Sequence, residues 1–160
     1  MKLNVLLIKQ ISIFSILIGL GIGIISLIPF IGNIVFVLYF MALSGAVIVY
    51  LKKQNILGDI SVKEGAVLGS VIGVTSMLGL YCTFIPLFII ISLFTHNMLG
   101  TFLLNGFTNP LSFFTLIFLL LLMALLGGLM NGFTGGVTAY VYEVLANIQE
   151  EEAKDNKFTL

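Results

Sequence analysis

Few side chains in this 160-residue chain can do chemistry, and their spacing decides what is open to them. Glu64 and Glu143 are the carboxylates nearest the long apolar segments, one at a helix start and one at a helix end. Facing each other across a helix pair, two carboxylates can share or relay a proton; at a membrane surface they can equally be solvated. His96 is the single histidine and Cys82 the single cysteine. His96 has no Cys or carboxylate nearby in sequence to complete a metal set, and no second base to form a triad. Cys82 sits in an apolar run and can form no internal disulfide. GLGIGI at 19–24 carries the glycines of a dinucleotide loop, but inside an apolar run without the strand-turn-helix context. The expectation is of no catalytic, cofactor-binding or metal-binding residue, no cofactor and no enzymatic activity.

The elements that position these residues are dictated by composition. The chain is 59% hydrophobic and 9% charged, against roughly 25% charged residues in an average soluble domain. Zero net charge and the lack of arginine remove the field and the bidentate fork that bind phosphate, so nucleic acid is not an expected partner. A bilayer core about 30 Å thick takes about 20 apolar helical residues per crossing. Four stretches qualify: 11–28, 34–51, 65–93 and 111–146. The expected fold is all-α, an integral membrane four-helix bundle of two tandem transmembrane helical hairpins. A transmembrane domain covers 1–147, and a charged tail at 148–160 reads as a solvated tail or helix end.

Lys2 and Lys9 ahead of the first apolar run imitate a signal peptide, but no small-residue cleavage site follows, so an uncleaved first span is expected. The turn PFIGN, at 29–33, joins spans one and two. Span three exceeds one crossing, which calls for tilt or a kink at Pro86; a five-span alternative splits it near residues 81–86. Residues 98–107 are too few to cross and are expected along the interface. Asn109 and Pro110 then supply an N-cap and a first-turn proline for span four. Lysine is retained on the cytoplasmic side. Lys2 and Lys9 precede span one, Lys52, Lys53 and Lys63 separate spans two and three, and Lys154 and Lys157 follow span four. Both termini are therefore expected in the cytoplasm, in the cell membrane.

Lipid is as apolar as leucine, so helices in it associate through close approach and hydrogen bonds. Gly65, Gly69 and Gly73 on span three match Gly128, Gly132 and Gly136 on span four, two glycine stripes of one period that meet at one depth in antiparallel helices. Ser61 and Glu64 form a capping box that starts span three. Asn131, the one amide deep in a helix, needs a partner; Thr134, Thr138, Thr75 and Ser76 are candidates for an interhelical bond, and a substrate contact is the other reading. The glycines pinch the cytoplasmic half. The other half carries Phe36, Phe40, Phe84, Phe88, Phe113, Phe114 and Phe118, which either splay the helices around a lipid-facing groove or fill core and lipid face. An internal echo pairs Gly19 and Gly23 with Gly69 and Gly73, and Ser44-Gly45 with Thr134-Gly135; tandem hairpins or chance in a Gly/Val/Ile-rich chain both produce it.

SLIPFIG, SGAVIVYLKK, ISVKEGAVLGSVIG and GGVTAYVYE together resemble small, uncharacterised multi-pass bacterial membrane proteins. The resemblance implies the topology and assigns no activity or site residue. Two functional readings follow: a structural or accessory membrane subunit, or a passive permeation role as a holin-like pore or a carrier of a small or lipid-like molecule. The expected partners are the lipid bilayer and either a second copy or another membrane protein.

Overall fold

The structure, a computed structural model, describes residues 5–54, 56–95 and 98–158, and the side chains among these apart from 98–100, 102, 107 and 149–158. Lys2 and His96 lie outside the described residues. The order is α1 (Val5–Ile25), α2 (Ile31–Lys53), α3 (Val62–Thr95), α4 (Met98–Thr108) and α5 (Pro110–Phe158). Four of the five are long and apolar enough to cross a membrane, and together they form an all-helical bundle. α3 runs unbroken through Pro86, so the five-span alternative does not describe this chain. α5 does not end at Ala146: it continues through the charged segment to Phe158, so the expected tail extends the helix.

α3 is the axis of the bundle, packing most extensively with antiparallel α5 and then with parallel α1, while α2 lies against α5. α1 and α2 share a tight turn yet their backbones stand apart, with Phe14 stacked on Tyr50 across the gap. The turn is sharper than its proline, glycine and asparagine suggest. The Ile31 N–H donates to the Pro29 carbonyl at 2.8 Å around Phe30, held at φ 66° and ψ −53°. That is a γ-turn of the strained hand on a non-glycine residue. Gly32 already belongs to α2, where a Cβ would overlap the Ser26 carbonyl.

The seam between α1 and α3 is backbone on backbone. A Cβ at Gly19 would overlap the Ser76 carbonyl, one at Gly79 the Ile16 carbonyl, and one at Gly23 the Thr83 hydroxyl. Thr83 Oγ1 crosses this seam to donate to the Leu20 carbonyl at 3.0 Å. The fully buried Ser15 Oγ on the same face has no hydrogen-bond partner. At the lysine-bearing end, the α2–α3 loop plugs the bundle. Leu57 and Ile60 join Ile11, Val47, Ile48, Leu51, Leu68 and Ile72 in one buried cluster. Lys52 holds the loop from outside, its Nζ 3.3 Å from the Gly58 carbonyl, 3.6 Å from Asp59 Oδ1 and 5.2 Å from the Tyr142 ring centre.

Gly19→Ala is expected to cost about 1–3 kcal/mol by forcing the seam apart. Gly21→Ala, where nothing lies within 4 Å of the new methyl, should change stability by less than about 0.5 kcal/mol. Unfolding titrations of the two variants in mixed detergent micelles check the contrast.

Candidate functional site

Two features are candidates for a site: a polar knot inside the bundle and a groove on its outside. The knot exists because α3 and α5 approach to backbone contact. Cβ atoms at Gly65, Gly69 and Gly73 would overlap the carbonyls of Gly135, Asn131 and Gly127 respectively. The floor of the seam on α5 is therefore Gly127, Asn131 and Gly135. Gly128, Gly132 and Gly136 lie one position further round, facing the side chains of Val74, Ser70 and Ala66. The α3 stripe meets α5 as the glycine period suggests, and its opposite number on α5 is displaced by one residue.

That displacement turns Asn131 toward α2, and the residue is 0% exposed. Its Oδ1 accepts from the Ser44 N–H at 3.0 Å, and the Ser44 hydroxyl donates to the Asn131 carbonyl at 2.6 Å. Its Nδ2 donates to the Gly127 carbonyl at 3.0 Å and reaches the Tyr39 carbonyl at 3.5 Å. The amide thus docks on the backbone of α2. None of Thr134, Thr138, Thr75 or Ser76 is among these bonds. Thr134 Oγ1 donates to Met41 of α2 and to Met130, and Thr138 and Thr75 bond carbonyls of their own helices. Ser76 enters the knot through Tyr39, whose hydroxyl donates to the Gly73 carbonyl at 2.8 Å and lies 3.0 Å from Ser76 Oγ. Ser44 and Tyr39 escape a sequence reading, since neither is unusual in a membrane helix; the only hint is that Ser44 precedes a glycine.

The groove runs along the outside of the α3–α5 seam, a cavity of about 680 Å³ walled by Val62, Val67, Leu129, Phe133, Val137 and Tyr140, with Ala66, Ser70, Gly132 and Gly136 at its base. Of the two readings of the phenylalanine half, this arrangement fits the one in which those side chains fill core and lipid face, and the groove lies in the glycine-lined half. Small residues on both helices leave space outside the seam wherever they bring the backbones together. The phenylalanine half is filled instead: Phe36 meets Phe40 edge-on at 4.9 Å, and Phe84 stacks on Phe88 at 5.3 Å. Among the described residues a pocket of about 140 Å³ lies there, bordered by Ser26, Gly32, Asn33, Phe36, Leu80 and Phe84.

At the lysine-bearing end, the Ser61 N–H and hydroxyl both donate to Glu64 Oε2, at 3.1 and 3.2 Å, and the Glu64 N–H donates to Ser61 Oγ at 3.3 Å. The capping box is formed as the S-x-x-E pattern demands. Glu64 and Glu143 border one surface notch with Asp59, Ile60 and Ser61. Among the described residues, no three His, Cys, Asp or Glu side chains are grouped so as to hold a metal ion.

Asn131→Ala and Ser44→Ala are each expected to cost about 0.6–2 kcal/mol. They cut different bonds, for Ser44→Ala keeps the N–H that binds the amide and Asn131→Ala keeps the carbonyl that binds the hydroxyl; a double-mutant cycle should still show a coupling of about 0.5 kcal/mol or more, because both bonds hold the same α2–α5 contact. Ser61→Ala should cost about 1 kcal/mol through the lost cap, read as the shift in thermal unfolding of the detergent-solubilised protein.

Comparison with family models, curated proteins and solved structures finds no match to this chain, which leaves its own geometry as the ground for a functional reading.

Proposed function

We propose that this chain is a multi-pass protein of the bacterial cytoplasmic membrane, with both termini in the cytoplasm, acting as a structural or accessory subunit and not as an enzyme. The observation that carries this reading is how completely the bundle interior is used up by its own packing. Ile48, Ile72, Met77, Ser44, Ser76 and Asn131 are all 0% exposed, and the buried hydroxyl and amide groups of the knot bond one another and the backbone. No charged side chain stands between Gly65 and Tyr142. Proton relays and ion sites in membranes are built from such side chains. A filled, charge-free interior favours a rigid scaffold over a monomeric pore.

Orientation is supported by the gathering of Lys9, Lys52, Lys53 and Lys63 at one end, where α1 enters, α2 leaves and α3 begins. The carrier reading has one observation in its favour, the lateral apolar groove, which opens toward lipid and has the floor of small residues that an acyl chain or a helix needs.

Reconstituted in sealed vesicles, the protein is expected to leave ion and small-dye permeability at the level of empty vesicles; a protein-dependent leak would defeat the scaffold reading. A Cβ at Gly136 meets Ala66 at 3.4 Å, an ordinary contact, so Gly136→Leu should fill the groove and keep the fold. Loss of a co-purifying protein or of a second copy in native mass spectrometry is the expected result for a docking subunit. Loss of a bound lipid alone would favour the carrier.

A further inference from the structure

The two hairpins differ in length, and the difference falls at one end. At the lysine-bearing end the helices are level: Lys52 of α2 reaches Tyr142 of α5, and Gly65 of α3 meets Ala139. At the opposite end they are not. Gly23 of α1 meets Thr83, and Ser26, Gly32 and Asn33 border the same pocket as Phe84, which sets the α1–α2 turn beside residues 84–86 of α3. Phe40 lies level with Gly127 and Ser44 with Asn131, and the same register carried back along α2 sets Ile31 beside residue 118 of α5. Residues 87–95 of α3 and 110–118 of α5 therefore rise past the turn, each by roughly 13 Å at the helical rise. α4 closes this tip, with Leu116 buried to 6% exposure and Gly106 set against it.

The flanks of the tip on α3 and α5 are apolar and exposed, with the polar residues Thr95, Thr108 and Asn109 at its apex. Ile90, Leu93, Phe94, Leu111, Phe114 and Phe118 are between 53% and 84% exposed, with Phe94 at 84%. No lysine, arginine, aspartate or glutamate occurs from 65 to 142, so nothing marks a hydrocarbon boundary beneath it. The apolar lengths of α3 (65–93) and α5 (111–142) come to roughly 44 and 48 Å. To fit a core about 30 Å thick they would tilt by roughly 45–50°, beyond the 0–40° that membrane helices adopt. Tilting the whole bundle that far would leave α2, about 34 Å long, spanning only about 23 Å.

We infer that the tip is immersed in the acyl chains of a bilayer thickened around α3, α4 and α5, so that the protein sets a step in membrane thickness and fits thick bilayers best. Lipid is the occupant because the tip's surface continues, with no charged break, the lipid-facing surface of the spans below it. The inference rests on the membrane reading above and gives the proposed scaffold a physical target, bilayer thickness.

The chain has no tryptophan, so a single one reports without background. Phe94→Trp and Phe114→Trp report the tip, and Leu17→Trp, 60% exposed in the middle of α1 and away from the groove, is the reference. Each is reconstituted in myristoleoyl, oleoyl and erucoyl phosphatidylcholine vesicles and titrated with acyl-brominated lipid and with aqueous iodide. Bromolipid should remove as large a fraction of emission at both tip positions as at Leu17→Trp, iodide should remove little, and the unfolding temperature should rise with acyl length. Iodide quenching at the tip places it in water and overturns the inference. Protection from both quenchers means that another protein surface covers the tip, which overturns it equally. Full bromolipid quenching with an unfolding temperature indifferent to acyl length shows burial by tilt and overturns the thickness step. If Leu17→Trp itself escapes bromolipid, the membrane reading fails first.

Discussion

Everything in this bundle depends on how near a helix can come to α3. Inside a bilayer no water is released when two apolar helices meet, so attraction comes from dispersion at short range and from the polar contacts that short range allows. α3 meets this condition on two faces at once. Gly65, Gly69 and Gly73 admit the carbonyls of α5 on one face, while Gly79 and the carbonyls of Ser76 and Leu80 receive α1 on the other. A side chain larger than hydrogen at any of these points separates two backbones over at least a turn, because neither helix can bend around it. The glycines are therefore a single device, repeated wherever a seam must be closed.

Close approach also decides which polar side chains are useful. Where backbones touch, short groups suffice: the Thr83 hydroxyl reaches across to α1, and the Ser44 hydroxyl reaches across to α5. Where α2 stands away from α3, the gap is crossed by Tyr39, whose ring fills the space and whose hydroxyl ends on Gly73 and Ser76. Asn131 joins both situations, since its backbone carbonyl lies against Gly69 while its amide binds α2. One residue thereby fixes the rotation of α5 relative to two neighbours. The cost of leaving an amide unpaired in hydrocarbon makes any other rotation of α5 unfavourable.

The spans, the cap at Ser61 and Glu64, and the proline start of α5 are legible in the sequence because each is a local property: apolar length, an S-x-x-E spacing, a proline after an asparagine. The pairing of the α3 glycines with α5 is legible for the same reason. The phase on α5 is not. That helix has glycine at 127, 128, 132, 135 and 136, so two adjacent stripes have the same period, and only the docking of Asn131 on α2 selects between them. The partner of that amide lies beyond a sequence's reach because it is largely backbone, the Ser44 N–H and the Tyr39 carbonyl, which no residue type advertises. Sequence leaves the phenylalanine half open between a groove and a filled interior, and offers no sign of a groove beside the glycines, because side-chain size is a poor guide to helix separation. In the structure small residues produce both a close approach of backbones and an external hollow beside it.

The internal echo has a physical outcome that composition alone does not anticipate. Counterpart helices run in the same direction and lie side by side, α1 along α3 and α2 along α5, as tandem hairpins of like orientation would. Yet Gly19 and Gly23 face α3, while Gly69 and Gly73 face α5, so echoed residues make different contacts. The second hairpin is held together by its own backbone seam; the first is not, for beyond the turn at Phe30 the α1 and α2 backbones stand apart and meet through side chains such as Phe14 and Tyr50. Each is fixed by the second hairpin, α1 by α3 and α2 chiefly by α5. A short first hairpin costs the bundle nothing under this arrangement, because it needs only the length over which α3 and α5 are glycine-lined. The extra length of the second hairpin is then free to answer to something other than the bundle's own cohesion.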